Sequence, residues 1–365
     1  MTAEPRRTSL YSAHVEAGAR TGEFAGWEMP LTYEGALAEH RAVRSAAGVF
    51  DVSHMGQIEV TGDGARDFLQ RMLTNNVDAL SAGDGQYTLM LTDSGGVIDD
   101  VIAYALPGRF LLVVNASNAQ ACVAWLAGHA DNDVVVTDRS SSTAMMALQG
   151  PTWEAALAPL EPDGVAAGLG YFQVAEAAVA GVPTLIARTG YTGEPGVELM
   201  CPWDAAPEIW SALMGHEAAP APAGLVARDT LRLEMGYPLH GNELGTDRTP
   251  LEAGLGWACD LDTEFTGGDV LRARREEGLG EKLCMFRMTE RSIPRAGHEV
   301  VADGSVVGAV TSGTHSPTLG IGIGMAYVTP EVAAPGTPVT INVRGTLKAA
   351  ETARRPLVNT SPTKG

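Results

Sequence analysis

GQYTLMLTDSGGVIDDVIAYALPGRFLLVVNAS, residues 85–117, decides which kind of sheet this chain builds. Three apolar runs rich in branched residues are joined by tight glycine-bearing turns, the chemistry of consecutive hairpins. Short strands and helices alternate irregularly on either side, so the fold class is α+β rather than a doubly wound parallel sheet. Two adjacent aspartates, Asp99 and Asp100, stand in the middle strand, where carboxylates are rarely buried without partners. Alternation predicts Ile98, Asp100, Ile102 and Tyr104 on one face and Val97, Asp99, Val101 and Ala103 on the other. Asp100 then shares a wall with apolar and aromatic side chains, a setting that shifts a pKa and suits acid or base work. The strand alone equally allows both aspartates to cap loops or pair with arginines.

Upstream, GEFAGWEMPLTY reads as an aromatic loop and EGALAEHRAVRSAAG as a helix stopped at Gly48. VFDVS and GQIEVTG read as a strand pair separated by His54 and Met55, and GARDFLQRML as an amphipathic helix. Downstream, NAQACVAWLAGHA, PTWEAALAPL and APEIWSALMGHEA are helical, while DVVVTD, TAMMALQG, VPTLIARTG and VELMCP are strands. A further helix, LVARDTLRLEMG, places Arg228 and Arg232 four residues apart on one face. From about residue 280, KLCMFRMT, HEVVADGSVVGAVTSG, IGIGMAYV and TPVTINVRG are short strands with turns, which predicts a separate small β-barrel or sandwich. There is no sequence repeat and no low-complexity linker.

A length of 365 residues favours two or three domains. Hydrophobic residues are 45% and no apolar run approaches the ~18 residues of a membrane span, so a soluble globular protein without membrane partners is expected. Lys and Arg total 25 against 44 Asp and Glu, a net charge of -19, which makes nucleic acid a poor partner. The start, MTAEPRRTSLYSAHVEAG, lacks an apolar stretch of signal-peptide length, and a cytoplasmic protein is expected. The four cysteines form no CxxC and the eight histidines no HxxxH or HExxH spacing, so no disulfide framework and no metal are expected.

Two further clusters carry chemistry. In RTGYTGEPGVEL, residues 188–199, Gly190, Gly193 and Gly196 permit a sharply folded loop delivering Tyr191 and Glu198 to its two ends. A ring with amide-like edges can stack on the tyrosine while the carboxylate accepts paired N–H bonds. Neither this loop nor GIGIG at 320–324 is a phosphate loop, for neither has a GK[ST] ending or leads into a helix. GLVARDTLRLEMGYPLHGNEL offers Arg228, Asp229, Arg232, Glu234 and Tyr237; a guanidinium there can hold a carboxylate or carbonyl of a ligand, or pair with the local acids.

Together FAGWEMPLTY, FDVSHMG, SGGVIDD, VVNAS, LQGP, RTGYTGEPGVEL, ARDTLRLEMGYPLHGNE, GLGW and TSGTHSPTLG resemble, in order and across nearly the whole chain, the aminomethyltransferase or T-protein family of the glycine cleavage system. The resemblance implies a three-domain cloverleaf around a central channel. Its α+β domains would be 1–52 plus 139–240 and 53–138 plus 241–278, followed by a C-terminal β-barrel at 279–365. It implies an enzyme of glycine catabolism and one-carbon metabolism that moves an aminomethyl group from the dihydrolipoyl arm of the lipoylated H-protein to tetrahydrofolate, a co-substrate. The products would be 5,10-methylenetetrahydrofolate and ammonia, with no metal. Carried over by motif, Asp100 would be the catalytic acid; Met55, Tyr87, Tyr104 and Asn115 would line the pocket. Tyr191 and Glu198 would hold the pterin, Arg228 and Tyr237 would contact the ligand, and Trp257 would close the site. The ending RRPLVNTSPTKG lacks the aromatic tail common in the family and receives no ligand contact. The alternatives are a non-catalytic folate-binding scaffold of the same fold or a folate-dependent demethylase. The scaffold's KGCYxGQE signature is replaced here by RTGYTGEPGVE, without the cysteine, and the chain has no flavin-binding segment.

Overall fold

Residues 85–117 fold as an antiparallel meander. Strands Gly85–Leu91, Val97–Leu106 and Arg109–Val114 pair in succession, and Gly56–Thr61 and Val135–Asp138 extend that sheet. The computed structural model describes residues 4–363, so the outermost positions of the expected first and third domains, 1–3 and 364–365, lie outside the described residues. Helices Ala65–Met72 and Ala119–His129 cover one face, where Phe68, Leu69, Cys122 and Leu126 pack on Ile58, Val101, Ala103 and Leu112. Burial of each large apolar side chain there contributes about 1.5–3 kcal/mol, which commits this face to the core.

The alternation expected for residues 97–104 holds from Asp99 onward and fails before it. Met90 pairs with Asp99 but Leu91 with Val97, so Ile98 is the extra residue of a bulge. Ile98 consequently packs into the helix-covered cluster and Val97 joins Leu89 and Leu91 on the other side, the reverse of the expected faces. The cause is tertiary: the Val97 N–H leaves the ladder for the carbonyls of Gly245 and Arg248, at 3.0 and 3.2 Å.

A second sheet has six strands in the order Val174–Val179, Val182–Ala187, Gly196–Pro202, Thr143–Gln149, Gly48–Asp51 and Ala221–Pro222. Here two expectations fail. VFDVS and GQIEVTG do not pair, because Gly48–Asp51 bonds to Thr143–Gln149 and Ala221–Pro222 while Gly56–Thr61 bonds to Arg109–Val114 and Val135–Asp138. A turn closed by Met55 N–H donating to the Val52 carbonyl hands the chain from one sheet to the other. GEFAGWEMPLTY is no loop either: Arg20–Phe24 and Trp27–Thr32 form a hairpin turned at Ala25 and Gly26, both with positive φ. The Val174–Val179 strand was absent from the sequence reading.

The C-terminal strands Lys282–Met288, Gly322–Val328, Ser305–His315, Glu299–Ala302, Pro338–Val343 and Thr346–Ala353 close into a barrel. Helix Leu225–Met235 links the parts, with Ala227 and Leu231 packed beside Val43 and Phe50 and Leu233 packed on Met285, Ile323 and Met325 of the barrel. Gly236, left-handed at φ 71, ends it. Among the described residues no helix is long and apolar enough to cross a membrane.

Candidate active site

On the face of the meander away from its helices, Leu89 lies opposite Asp100 and Tyr87 opposite Ile102. The Tyr87 hydroxyl donates to Asp100 Oδ2 at 3.0 Å and Asn115 Nδ2 donates to Oδ1 at 2.9 Å. Burial raises the Asp100 pKa, against the Tyr87 hydrogen bond, the charge of His240 and the Asn115 amide. Burial also drives the Tyr87 phenol well above its ordinary range, so it stays a proton donor to Asp100. Asp99, on the covered face, accepts from Asn115 N at 2.8 Å, Asn115 Nδ2 at 2.8 Å, Asn118 Nδ2 at 2.7 Å and Cys122 Sγ at 3.6 Å. Burial, then the charge of Asp100, pushes Asp99 up to about 7.

The loop at 188–195 folds as tightly as its glycines allow. A Cβ on Gly190 would stand 1.9 Å from Gln149 Oε1, and one on Gly196 2.3 Å from the Leu148 carbonyl. That approach sets Thr189 beside Glu198, whose strand runs between Ala147 and Ala187. Tyr104 Oη and Thr189 Oγ1 are 2.8 Å apart, and Thr189 donates onward to Glu198 Oε2 at 2.6 Å. Tyr104 is fully buried and meets Glu198 only through that threonine. Burial raises the Glu198 carboxyl, while Arg228 and Thr189 pull it back.

Arg228 and Arg232, alternatives on the sequence, have different fates. Arg232 is buried and spends its donors on Asp229, the Tyr237 carbonyl, Glu243 and Ser312, so it braces the fold. Arg228 lies with its guanidinium carbon 5.0 Å from the Tyr191 ring centre, and its buried Nη1 has no hydrogen-bond partner among the described residues. A buried charged donor left unpaired is costly, which marks Nη1 as a place for an outside acceptor. Tyr191 donates to the Pro238 carbonyl and stacks on Tyr237 with ring centres 5.8 Å apart at 26°. Trp257, 66% exposed, stacks on Tyr87 at 5.4 Å and 24°. Met55 is half-buried against the cluster that holds Tyr104 and Ile102.

Thus Tyr87, Asp100 and Asn115 form one group, and Tyr104, Glu198, Arg228 and Tyr191 form a second. Tyr191 stands near enough to Asp100 for its charge to act on the phenol. Thr189, Asn118 and His240 were missed by the sequence reading. Thr189 sits inside the quoted glycine loop beside two other hydroxyl residues, Tyr191 and Thr192, and neither it nor Asn118 nor His240 carries a spacing signal.

Residues 10–263 match the family model for the GCVT N-terminal domain and residues 281–359 that for the glycine cleavage T-protein C-terminal barrel domain. An aminomethyltransferase of Geobacillus kaustophilus is 47% identical over 346 residues, 93% of this chain and 95% of that one. One from Rubrobacter xylanophilus is 49% identical over 329 residues, 89% and 88% of the two chains. The crystal structure of the glycine cleavage system aminomethyltransferase T of Bartonella henselae aligns with a TM-score of 0.91 at 35% identity, covering 98% of this chain and 99% of that one. With its α+β body and closed barrel, the chain belongs to the glycine cleavage T-protein family of aminomethyltransferases.

Proposed function

We propose that this aminomethyltransferase moves the one-carbon unit from the S-aminomethyldihydrolipoyl arm of the H-protein to tetrahydrofolate, giving 5,10-methylenetetrahydrofolate and ammonia. The observation that carries the reading is that an acid and a recognition group meet around one ring, Tyr191. Asp100 is held by Tyr87 and Asn115 beside Tyr191, and the buried Glu198 carboxylate stands near an Arg228 whose Nη1 has no partner among the described residues. That set fits a pterin, a planar ring presenting paired N–H donors and a carbonyl. Tetrahydrofolate, when bound, supplies the two nitrogens that receive the carbon. Glu198 accepts the paired N–H bonds, Arg228 Nη1 donates to the acceptor edge, and Tyr191 lies along the ring. Asp100 stabilises the positive charge that grows on the carbon as ammonia departs. As the two folate nitrogens bond to that carbon the C–S bond breaks, the dihydrolipoyl sulfur leaves as the thiol, and Asp100 relays the proton released at ring closure. Tyr87 and Asn115 hold that carboxylate in place, and the Tyr87–Trp257 stack screens it from water. The four free, buried cysteines suit the reducing cytoplasm, where we place the protein.

The test is a stopped assay with tetrahydrofolate and aminomethyl-loaded H-protein, scored for methylenetetrahydrofolate. Product forms if the reading is right; folded protein that binds folate yet makes none returns it to the scaffold class.

A further inference from the structure

Asp99 is the buried acid that the transfer itself leaves unused. It lies on the helix-covered face of its strand, fully buried in an apolar cluster, and satisfied by donors from Asn115, Asn118 and Cys122. Part of its role is structural. The Ala119–His129 helix has no acid in its first turn, and Asp99 brings a negative charge to that end. A helix anchor needs only Asn118 and Cys122, however, and Asn115 makes a different connection. Its Nδ2 stands 2.8 Å from Asp99 Oδ1, 2.9 Å from Asp100 Oδ1 and 3.2 Å from the Asp100 carbonyl, while its backbone N–H donates to Asp99 Oδ2 at 2.8 Å. A primary amide carries two hydrogens. With one on each carboxylate, the orientation Asp99 imposes on Asn115 is the orientation in which Asn115 meets Asp100.

We propose that Asp99 is a positioning residue for the transfer: through Asn115 it fixes the hydrogen bond that aims Asp100, and as the adjoining carboxyl on the same amide it shares the titration of Asp100. The inference rests on the assignment of Asp100 as the reacting acid. Tyr87 from the neighbouring strand, Tyr191 from the glycine loop and His240 from the segment after the 225–235 helix face Asp100; Arg355 lies near enough to Tyr87 to feel its charge. On the other side Cys122 faces Asp99. None of these places another carboxylate beside the pair, so Asp99 and Asp100 oppose each other's ionisation. Two carboxylates on adjacent residues sharing one amide titrate as a pair rather than singly.

Single-turnover rates measured across pH for the wild type, Asp99→Asn and Asn118→Ala decide the matter, with aminomethyl-loaded H-protein and tetrahydrofolate as substrates. Removing the adjoining carboxyl leaves Asp100 to ionise without that competition. The acid limb of the Asp99→Asn profile should therefore move to lower pH by on the order of one unit, the scale of a close like charge. Asn118→Ala, which deletes one donor to Asp99 and leaves Asp100 untouched, should shift the limb in the same direction by less. KM for tetrahydrofolate should stay constant in both. A purely structural Asp99 would lower the melting temperature and leave the limb where it is, and that result overturns the proposal. Should Asp99→Asn fail to fold, Asn118→Ala and carbon-13 NMR of the aspartate carboxyls in the wild type still decide. Coupled two-step titration of Asp99 and Asp100 supports the proposal, and two independent single steps overturn it. A wild type that folds, shows the coupled titration and yields no methylenetetrahydrofolate sinks the functional reading instead, so the two failures are distinct.

Discussion

Glu198 accepts one 2.6 Å hydrogen bond from Thr189 and lies in the field of Arg228, with burial raising its pKa. Its carboxylate has spare capacity. Glu198→Gln should weaken tetrahydrofolate binding by about 1.5 to 3 kcal/mol, the range for a charge-assisted hydrogen bond, with far-ultraviolet circular dichroism unchanged. Equal affinity by calorimetry in variant and wild type would remove Glu198 from the recognition surface. Asp100→Asn keeps the shape and the Tyr87 contact but removes the charge, so turnover should fall ~100-fold or more at near-normal folate affinity. Both acids were legible as candidates because each stands in a largely apolar run, and the family resemblance gave them their roles. Thr189 and Asn118 could not, since their importance lies in what they touch, and Tyr104 and Asp99 reach them only after folding. The same holds for Ile98. Its face was set by carbonyls of Gly245 and Arg248, nearly 150 residues further along the chain, which drew Val97 out of register.

Hairpins and helices were legible wherever one local pattern governed them, as in the 85–117 meander and the Leu225–Met235 helix stopped by Gly236. They were misread where the chain changes sheet. Nothing local distinguishes a turn that returns to the same sheet from the Val52–Met55 turn that leaves it. The Trp27–Thr32 strand was obscured by Pro30, which breaks the usual alternation and sits next to a register shift against Arg20–Phe24. The 188–195 loop is different, since its glycines announced a close approach and Gln149 supplies the other side of it. Gly190→Ala drives a methyl into the Gln149 side chain, which also bonds the Thr189 carbonyl and Thr192. We expect a loss of about 1–3 kcal/mol in stability by chemical denaturation, the usual cost of overpacking, with folate affinity falling in parallel as Thr189 shifts. Unchanged stability would show that the loop has slack the structure denies it.

Glu234 ties the molecule together. It is fully buried and accepts from Arg44 and His40 of the Ala36–Ser45 helix and from Ser316 and Thr318 of a barrel loop. Burial works to raise its pKa, but the His40 hydrogen bond and charge, Ser316 and Arg44 outweigh it and hold the carboxyl at about 2 instead of 4.5. A depressed carboxyl stabilises the fold above its unfolded pKa and loses that contribution as pH falls through the folded one. Stability should therefore drop by roughly 3 kcal/mol between about pH 4.5 and pH 2 on account of this group. Glu234→Gln should show lower stability at pH 7 and a flatter slope in that window, measured by urea denaturation; an equally steep slope assigns the acid loss to other groups. One helix thus bears Arg228 with its unpartnered Nη1 among the described residues, the Arg232 brace to Ser312 and the Glu234 clasp. A turn of a few degrees about its axis would be felt at all three. Substitutions accumulating in the barrel loops are accordingly not neutral to ligand recognition, and the two ends of the chain can drift over generations only in step.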